Sequence, residues 1–368
     1  MLWALAIVGV LALLLFGTGA LFLRQQKFGA LPTGERLKKI KASPHYWDGK
    51  FQNLIPTAMG GENESLLLSE LKILFNPPPR RIPARPLPTA RRQDLSELPD
   101  NSLIWFGHSA FLIKLGGQTF LFDPALTDRA SPVPWTTKAF PGTTLYGPTD
   151  LPKIDYLLLS HDHWDHLDYP TVLELMKDPP PAFAPLGVGA HLEKWGYDPK
   201  LVTEGDWGEV FSPQKGVKIT FIPARHFSGR SLTWNQSLWT GFVLEAGGKK
   251  IVYSGDSGYL PANVSKAHQF SPVDLAIVEC GQYDHRWADI HQTPEQSVET
   301  ALDFGAKAAM PVHSGKFKIA NHAWDEPFIR FTAAAKIKSL RVVTPMIGEV
   351  VDLNDAQRTY KAWWEGLD

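Results

Sequence analysis

The sequence predicts an α/β protein in which two β-sheets are covered by helices on their outer faces, an αββα sandwich. From Asn101 onward, short apolar runs first occur in pairs and later alternate with helical segments. No period of about 20–50 residues recurs, which argues against a solenoid or propeller. The 44% hydrophobic and 20% charged fractions fit a chain that buries a core. Together these observations favour a packed, layered domain.

The predicted elements are short and separated by turns. Phe111–Leu115 and residues 119–122 are apolar and joined by two glycines, which predicts a hairpin. Residues 154–160 form an apolar run that is typical of a buried strand. Thr293 and Pro294 are a cap and a first helical residue, so a helix is predicted to follow them. Further strands are predicted at residues 103–106, 217–222, 239–245, 250–253, 275–278 and 308–312, and a further helix at 169–176.

Four segments are predicted along the chain. They are a transmembrane anchor (1–24), a basic and Pro-rich extension (25–100), the folded α/β domain (101–350) and a C-terminal tail (351–368). Prolines crowd residues 76–88 of the extension, and proline lacks the backbone donor that regular elements need, so an irregular arm is expected there. A short helix is predicted at residues 64–75.

Residues 2–23 contain no charged side chain. As a helix they would reach ~33 Å at ~1.5 Å per residue, enough to cross a ~30 Å hydrocarbon layer. The alternative is a cleaved secretory signal, but such a signal has a basic start, and no Lys or Arg precedes Arg24. A retained membrane helix is therefore favoured.

Basic residues follow the apolar segment and predict its orientation. They are Arg24, Lys27, Arg36, Lys38, Lys39 and Lys41. The positive-inside rule then favours an inner-membrane protein with a cytoplasmic catalytic domain. Export to the periplasm or association with an outer membrane is the alternative. The net charge of −1 argues against a nucleic-acid partner. The oligomeric state is left open.

A dense cluster of candidate metal ligands follows the predicted strand at 154–160. His161, His163 and His166 alternate with Asp162 and Asp165. Imidazole and carboxylate suit zinc, iron or manganese, and side chains on a turn after a strand can converge on one point. Three further candidates each follow a later predicted strand, and they are His226, Asp256 and His313. The sequence therefore predicts a metal site at one edge of the sheets.

Residues 160–168 resemble the H-x-H-x-D-H signature of the metallo-β-lactamase superfamily, and the later order His, Asp, His is also similar. The resemblance extends to the N-acyl-phosphatidylethanolamine-hydrolysing phospholipase D branch and to bacterial RomA-type proteins. Supporting segments lie at residues 50–53, 105–108, 123–124, 129–132, 228–232, 255–259 and 326–327. Together these matches cover roughly residues 50–349.

The resemblance implies a dinuclear metallo-hydrolase with two divalent ions. It assigns His161, His163 and His226 to one metal, Asp165, His166 and His313 to the other, and Asp256 to a bridge between them. A hydroxide between the metals would be the nucleophile. Zinc fits these ligands best, although manganese and iron also accept them. The single cysteine, Cys280, is not at a ligand position and is expected to be a small buried residue.

Several residues around the ligands also receive predictions. The resemblance makes Trp164 and His291 substrate contacts, and Asp165 and His291 the predicted catalytic residues. The alternatives are that Trp164 only packs against the cluster and that His291 only caps the helix after it. His108 is expected to orient a ligand. Arg230 and Lys316 are expected at the surface, and the alternative is that they meet an anionic group of the substrate.

The leading functional prediction is hydrolysis of a phosphodiester, such as that of an (N-acyl) phospholipid. The alternatives are a lactonase or carboxyl-ester hydrolase, and a non-catalytic membrane regulatory protein of the same fold. Ser314 stands where the animal phospholipases have a bulky aromatic residue, and residues 131–147 form an insertion. These differences concern the substrate, which is either a small molecule or a lipid.

Overall fold

The computed structural model describes residues 2–58, 75–90 and 94–367. Its helices are α1 (Leu2–Leu23), α2 (Gly34–Ala42), α3 (Tyr169–Leu175), α4 (Gly189–Trp195), α5 (Ala262–Ser265), α6 (Pro294–Asp303) and α7 (Glu326–Ile337). A small hairpin, β1 (Tyr46–Trp47) and β2 (Lys50–Phe51), precedes the main sheets. Residues 64–74 of the short helix predicted in the extension lie outside the described residues.

The described chain forms two seven-stranded sheets. The first contains β3 (Ser102–Trp105), β4 (Phe111–Leu115), β5 (Gln118–Phe122), β6 (Tyr156–Leu158), β7 (Ala182–Pro185), β8 (Val202–Gly205) and β16 (Val350–Asp352), in the order β16-β3-β4-β5-β6-β7-β8. The second contains β9 (Val210–Phe211), β10 (Lys218–Ile222), β11 (Gly241–Ala246), β12 (Lys249–Tyr253), β13 (Leu275–Glu279), β14 (Ala308–Val312) and β15 (Arg341–Val342), in the order β15-β14-β13-β12-β11-β10-β9. Each sheet has antiparallel strands and a parallel part, β5 to β8 or β12 to β15.

The side chains of each sheet alternate between two cores, because successive residues of a strand point to opposite faces. Phe111 and Ile113 of β4 join the core between the sheets, whereas Leu112 joins the core that includes residues of α3 and α4. In β13, Ile277 faces the central core and Val278 the core shared with α6 and α7. The four layers are therefore helix, sheet, sheet and helix, and the predicted αββα fold is confirmed.

The segments outside the α/β domain are more integrated than predicted. The extension contains α2 and a hairpin, and its residues Ile40 and Phe51 form a buried cluster with Trp239. The predicted tail supplies most of β16, and its Trp363 and Trp364 are buried in the central core. Within the proline-rich residues 76–88, Leu87 is buried in the central core.

Helix α1 covers the predicted anchor. Its side chains at Ile7, Leu13 and Phe16 are exposed. Among the residues whose side chains are described, no helix is long and apolar enough to cross a membrane. The predicted transmembrane span is thus not confirmed.

The central core generates a stability prediction. Phe242 is fully buried between the sheets, with its ring 5.0 Å from that of Phe221. Phe242→Ala should lower the free energy of unfolding by ~3–5 kcal/mol, because the lost contacts leave a cavity. Phe75→Ala is the control, since Phe75 is exposed, and its effect should stay within about 0.5 kcal/mol. Urea unfolding followed by circular dichroism measures both, and equal effects would contradict the layered core.

Candidate metal centre

The predicted ligands lie where strands of both sheets end. The cluster at residues 161–166 lies between β6 and α3 in the first sheet, while His226 and Asp256 follow β10 and β12 in the second. His313 directly follows β14. The loop before Asp256 is tight, because Gly255 has φ +61° and a Cβ there would lie 2.4 Å from the Thr240 carbonyl oxygen. The two sheets thus bring seven residues from distant parts of the chain to one edge.

The first group of potential ligands contains His161, His163, His226 and Asp256. One ligand atom of each lies within 4.8 Å of the others. The His226 Nε2 atom is 3.2 Å from His163 Nδ1, and both His161 Nε2 and His226 Nε2 are 3.8 Å from Asp256 Oδ2. Three ring nitrogens therefore converge with one carboxylate.

The second group contains Asp165, His166 and His313, with His108 beside them. The His166 Nε2 atom is 3.6 Å from Asp165 Oδ2 and 3.1 Å from Asp256 Oδ2. The other oxygen of Asp256 is 3.2 Å from His313 Nδ1. Asp256 therefore faces both groups, which is the placement that its predicted bridging role requires.

Several buried atoms of this cluster lack a hydrogen-bond partner among the described residues. They are the Nε2 atoms of His161, His163 and His166, and the Oδ1 atom of Asp256. A buried polar atom without a partner costs ~1–3 kcal/mol. Lone pairs that converge on one space are satisfied by a cation, so the donor set fits a metal ion.

Hydrogen bonds on the far side of two rings leave Nε2 free. The His226 Nδ1 atom is 3.0 Å from the Ile290 carbonyl oxygen, which can only accept, so Nδ1 carries the proton. The His166 Nδ1 atom is 2.8 Å from a carboxylate oxygen of Asp123. Both contacts are typical of metal-binding histidines, whose second nitrogen is fixed by a carbonyl or carboxylate.

The electrostatics of the cluster suit a cation. Burial lowers the pKa of His161, His226 and His313 well below the usual value and lowers that of His163 to about 4, so these rings are neutral and able to bind a metal. Burial would also lower the pKa of His166, but neighbouring carboxylates, above all Asp256, outweigh it and raise that pKa. A divalent cation would provide the positive charge that these carboxylates favour.

Asp123 supports the cluster from behind, and sequence analysis assigned it no role. Its fully buried carboxylate accepts hydrogen bonds from the Ser160 backbone N–H (2.7 Å), the Ser160 hydroxyl and the Tyr253 hydroxyl (2.6 Å), and it lies beside His166 Nδ1. Its position directly after β5, at the edge where the ligands lie, was the available signal. His108 does orient a ligand as expected, with Nε2 2.8 Å from Asp165 Oδ2.

Asp162 and Arg230 hold the backbone of the ligand loop. The Asp162 carboxylate accepts hydrogen bonds from the Gly229 N–H (2.7 Å) and the Ser237 hydroxyl (2.8 Å). The Arg230 guanidinium donates to the carbonyl oxygens of Asp162 (2.9 Å) and Leu167 (2.6 Å). Arg230 is buried, so its predicted surface placement was wrong.

Lys316 is also buried, and its Nζ donates to the Ala125 carbonyl oxygen at 2.7 Å. Its predicted surface placement was therefore wrong as well. In both residues a backbone carbonyl compensates the buried charge, and such a partner cannot be read from the sequence. Cys280 is fully buried, as expected.

The structure places His291 and Trp164 differently. His291 is stacked on His313 with ring centres 5.3 Å apart, and its Nδ1 lies against the Glu279 carboxylate. Trp164 is half-buried next to the Arg230 guanidinium (3.9 Å) and the Phe28 ring (5.2 Å). His291 therefore faces the ligands, while Trp164 contacts the N-terminal segment. Glu279, at the end of β13, is a second residue that sequence analysis missed.

A family model described as "Beta-lactamase superfamily domain" matches residues 118–314, more than half of the chain. The chain belongs to the metallo-β-lactamase superfamily. An uncharacterized protein of Mycobacterium tuberculosis is 36% identical over 335 residues, which cover 88% of this chain and 87% of that protein. The match to N-acyl-phosphatidylethanolamine-hydrolyzing phospholipase D 1 of Caenorhabditis elegans has 29% identity over 273 residues, 68% of this chain and 75% of that one.

Two further comparisons concern a shorter relative and the fold. Outer membrane protein RomA of Klebsiella pneumoniae is 50% identical over 100 residues, 27% of this chain and 76% of that one. The solved structure of Igni18, a metallo hydrolase of Ignicoccus hospitalis, shares the fold with a TM-score of 0.51 at 18% identity, covering 68% of this chain and 97% of that one. The predicted superfamily resemblance is confirmed, and the protein is a metal-dependent hydrolase.

The bridging position of Asp256 generates a prediction about metal content. Asp256→Asn should release at least one of the bound metals, because an amide removes the negative charge that faces both histidine groups. Metal analysis by mass spectrometry after dialysis measures this loss. His268→Gln is the control, since His268 is exposed, and it should retain the metal. Full metal content in Asp256→Asn would contradict a bridging role.

The hydrogen bonds that Asp123 forms beside His166 generate a prediction about metal affinity. Asp123→Asn should weaken metal binding by roughly 10–100-fold, as changes in such outer residues do. Competition with a chelator measures the affinity. The control is Asp303→Asn. Asp303 also accepts a hydrogen bond from a tyrosine hydroxyl, that of Tyr259 at 3.1 Å. It lies at the C-terminal end of α6, whereas His291 lies near the start of this helix. Equal effects of the two changes would refute a specific role of Asp123.

Proposed function

We propose that the protein hydrolyses a phosphodiester bond of a membrane phospholipid, with an N-acyl phospholipid as the preferred substrate. The observation that carries the proposal is the pair of ligand groups that share Asp256. Two divalent ions a few ångströms apart suit phosphoryl displacement, because they activate water and stabilise both the attacking and the leaving oxygen. The similarity to the Caenorhabditis elegans phospholipase supports the substrate class.

In the proposed centre, His161, His163 and His226 hold one ion, and Asp165, His166 and His313 hold the other. Asp256 lies between the two sets. The sheets and the buried hydrogen bonds of Asp123, His108 and Arg230 fix these side chains before substrate arrives. No serine or cysteine nucleophile is then needed, which agrees with the complete burial of Cys280.

His291 is the proposed residue that contacts the phosphoryl group. The Glu279 carboxylate holds Nδ1, so Nε2 is left for substrate. The ring lies 5.0 Å from that of His226 and belongs to a potential ligand group with Asp256 and His313. His291 can therefore hydrogen-bond an oxygen of the group undergoing displacement. Trp164 remains a predicted substrate contact, and its packing against Arg230 gives it a structural role as well.

We also propose that α1 attaches the enzyme to a membrane. Its apolar side chains are exposed to the surroundings, and Arg24 and Lys27 follow it. This charge distribution favours the cytoplasmic side of the inner membrane. The similarity to RomA, whose name places it in an outer membrane, keeps the outer-membrane alternative open.

The proposal is tested with the full-length protein in detergent micelles. Hydrolysis of bis(p-nitrophenyl) phosphate and of N-acyl-phosphatidylethanolamine is measured together with metal content. We expect the protein to hydrolyse both substrates. Asp165→Asn and Asp256→Asn should lose this activity, whereas His268→Gln should retain it. Metal without turnover of either phosphodiester would refute the proposed substrate class and favour a lactone or carboxyl ester. Absence of metal after reconstitution would refute the mechanism.

The Glu279–His291 contact generates a separate prediction. His291→Gln should lower kcat by roughly 10²-fold, the lower end of the effect of a positioned acid–base group, with little change in metal content. Glu279→Gln should act in the same direction but more weakly, because the ring remains and only its fixed orientation is lost. Kinetics and metal analysis of both variants are the measurements. If metal content falls in parallel with activity, His291 is a ligand rather than a substrate contact.

A further inference from the structure

Exposed apolar side chains surround the point where α1 meets the α/β domain. They are Leu31, Trp135, Leu232 and Trp234, and we call them the juxtamembrane face. They belong to three separate segments of the chain. Trp135 and Leu232 are 76% and 82% exposed. A patch of this kind around a helix end marks an interaction surface.

Hydrogen bonds and packing bring these segments to the end of α1. Phe22 of α1 lies 5.2 Å from Phe28, and Lys27 between them donates to the Pro132 carbonyl oxygen at 2.7 Å. Trp135 is three residues beyond Pro132. A cleft of about 100 Å³ is lined by residues of both α1's end and the neighbouring loop, including Leu23, Leu31, Ser231 and Thr233. Leu232 lies between Ser231 and Thr233 in the chain.

The turns that present the exposed side chains are internally fixed. Asn235 N–H donates to the Ser228 carbonyl oxygen at 2.9 Å, which closes the loop that carries Leu232. Its root is held where Gly229 N–H donates to Asp162 in the ligand loop. The turn that contains Trp135 is closed by a 2.6 Å contact between the Ser131 and Thr136 hydroxyls. Because these turns are already ordered, they lose little conformational entropy when their exposed apolar side chains become buried on binding.

The same face lies next to the metal ligands. Trp234 contacts Phe227, with ring centres 5.7 Å apart. The Phe227 ring is 4.4 Å from that of His163 and 4.9 Å from that of His226. One aromatic side chain therefore separates the exposed face from the first ligand group.

We propose that the juxtamembrane face is a second membrane contact, in which Trp135, Leu232 and Trp234 enter the interfacial layer of the bilayer that α1 occupies. The proposal rests on the proposed membrane attachment of the enzyme. Tryptophan favours the headgroup level, and leucine favours the acyl chains beneath it. This contact orients the domain with its metal centre towards the lipid headgroups, so that a phospholipid reaches the ligands by lateral movement.

The experiment uses the full-length protein in vesicles of phosphatidylcholine and phosphatidylglycerol. Leu232→Cys is labelled with an environment-sensitive fluorophore, and the buried Cys280 stays unlabelled. Ile337→Cys is the matched control because Ile337 is also 82% exposed. It precedes β15, whose Arg341 pairs with Ala308 at the start of β14, whereas His313 follows the end of β14. The control position is therefore at the opposite edge of the sheet.

The label at residue 232 should emit at shorter wavelength and be quenched by lipids that carry a nitroxide near the headgroup. The label at residue 337 should show neither effect. Equal responses at the two positions, or no quenching at residue 232, would overturn the proposal. This holds both if the juxtamembrane face is exposed to solvent and if another protein covers it. Quenching without hydrolysis of any phospholipid would leave the membrane contact standing and refute the proposed function.

A second measurement uses Trp135→Ser combined with Leu232→Ser. Hydrolysis of N-acyl-phosphatidylethanolamine in vesicles should require roughly 10-fold more lipid, since two large apolar side chains no longer leave water. Hydrolysis of the soluble bis(p-nitrophenyl) phosphate should be unchanged, because neither residue touches a ligand. An equal loss on both substrates would show damage to the fold rather than loss of a membrane contact, and would count against the proposal.

Discussion

The convergence of seven polar side chains, six of them buried, at one edge of two sheets is the constraint on which the rest of the structure depends. Among the described residues, Nε2 of His161, His163 and His166 and Oδ1 of Asp256 have no hydrogen-bond partner, and burial of such atoms is unfavourable unless a cation satisfies them. The surrounding structure supports two of the histidine rings by hydrogen bonds on their far side. Asp123 supports His166, and the Ile290 carbonyl supports His226. The centre is thus assembled by residues that do not themselves bind metal.

The sheets make this arrangement robust because each ligand follows a strand whose position is fixed by packing on both faces. Phe111 and Phe122 stack between the sheets at 4.6 Å, and Tyr253 packs against both rings. The Tyr253 hydroxyl then reaches Asp123 across the interface. One residue therefore links the apolar core to the support of a metal ligand. Packing errors in the core would be transmitted to the centre through this contact.

The convergence of the seven candidate ligands could be predicted because their signals are local. Three histidines within six residues, and single ligands directly after apolar strands, are visible in the chain itself. Asp123 also directly follows an apolar strand, but its supporting role depends on contacts with distant residues, such as Tyr253, which is 130 residues away. Glu279 and His291 are 12 residues apart, but their contact depends on how α6 packs after β13. Arg230 and Lys316 were misplaced because their compensating partners are backbone carbonyls, which every residue carries.

The N-terminal segment shows most clearly why composition alone misjudged the organisation of the chain. Proline and charge predicted a loose extension between an anchor and a domain. Instead, Trp195 donates to the Gln26 carbonyl at 2.7 Å, and Ala30 N–H donates to His191, whose other nitrogen is 3.2 Å from Asp162. Asp162 stands within the ligand loop. The segment after α1 is thus joined to the metal centre by a short chain of hydrogen bonds.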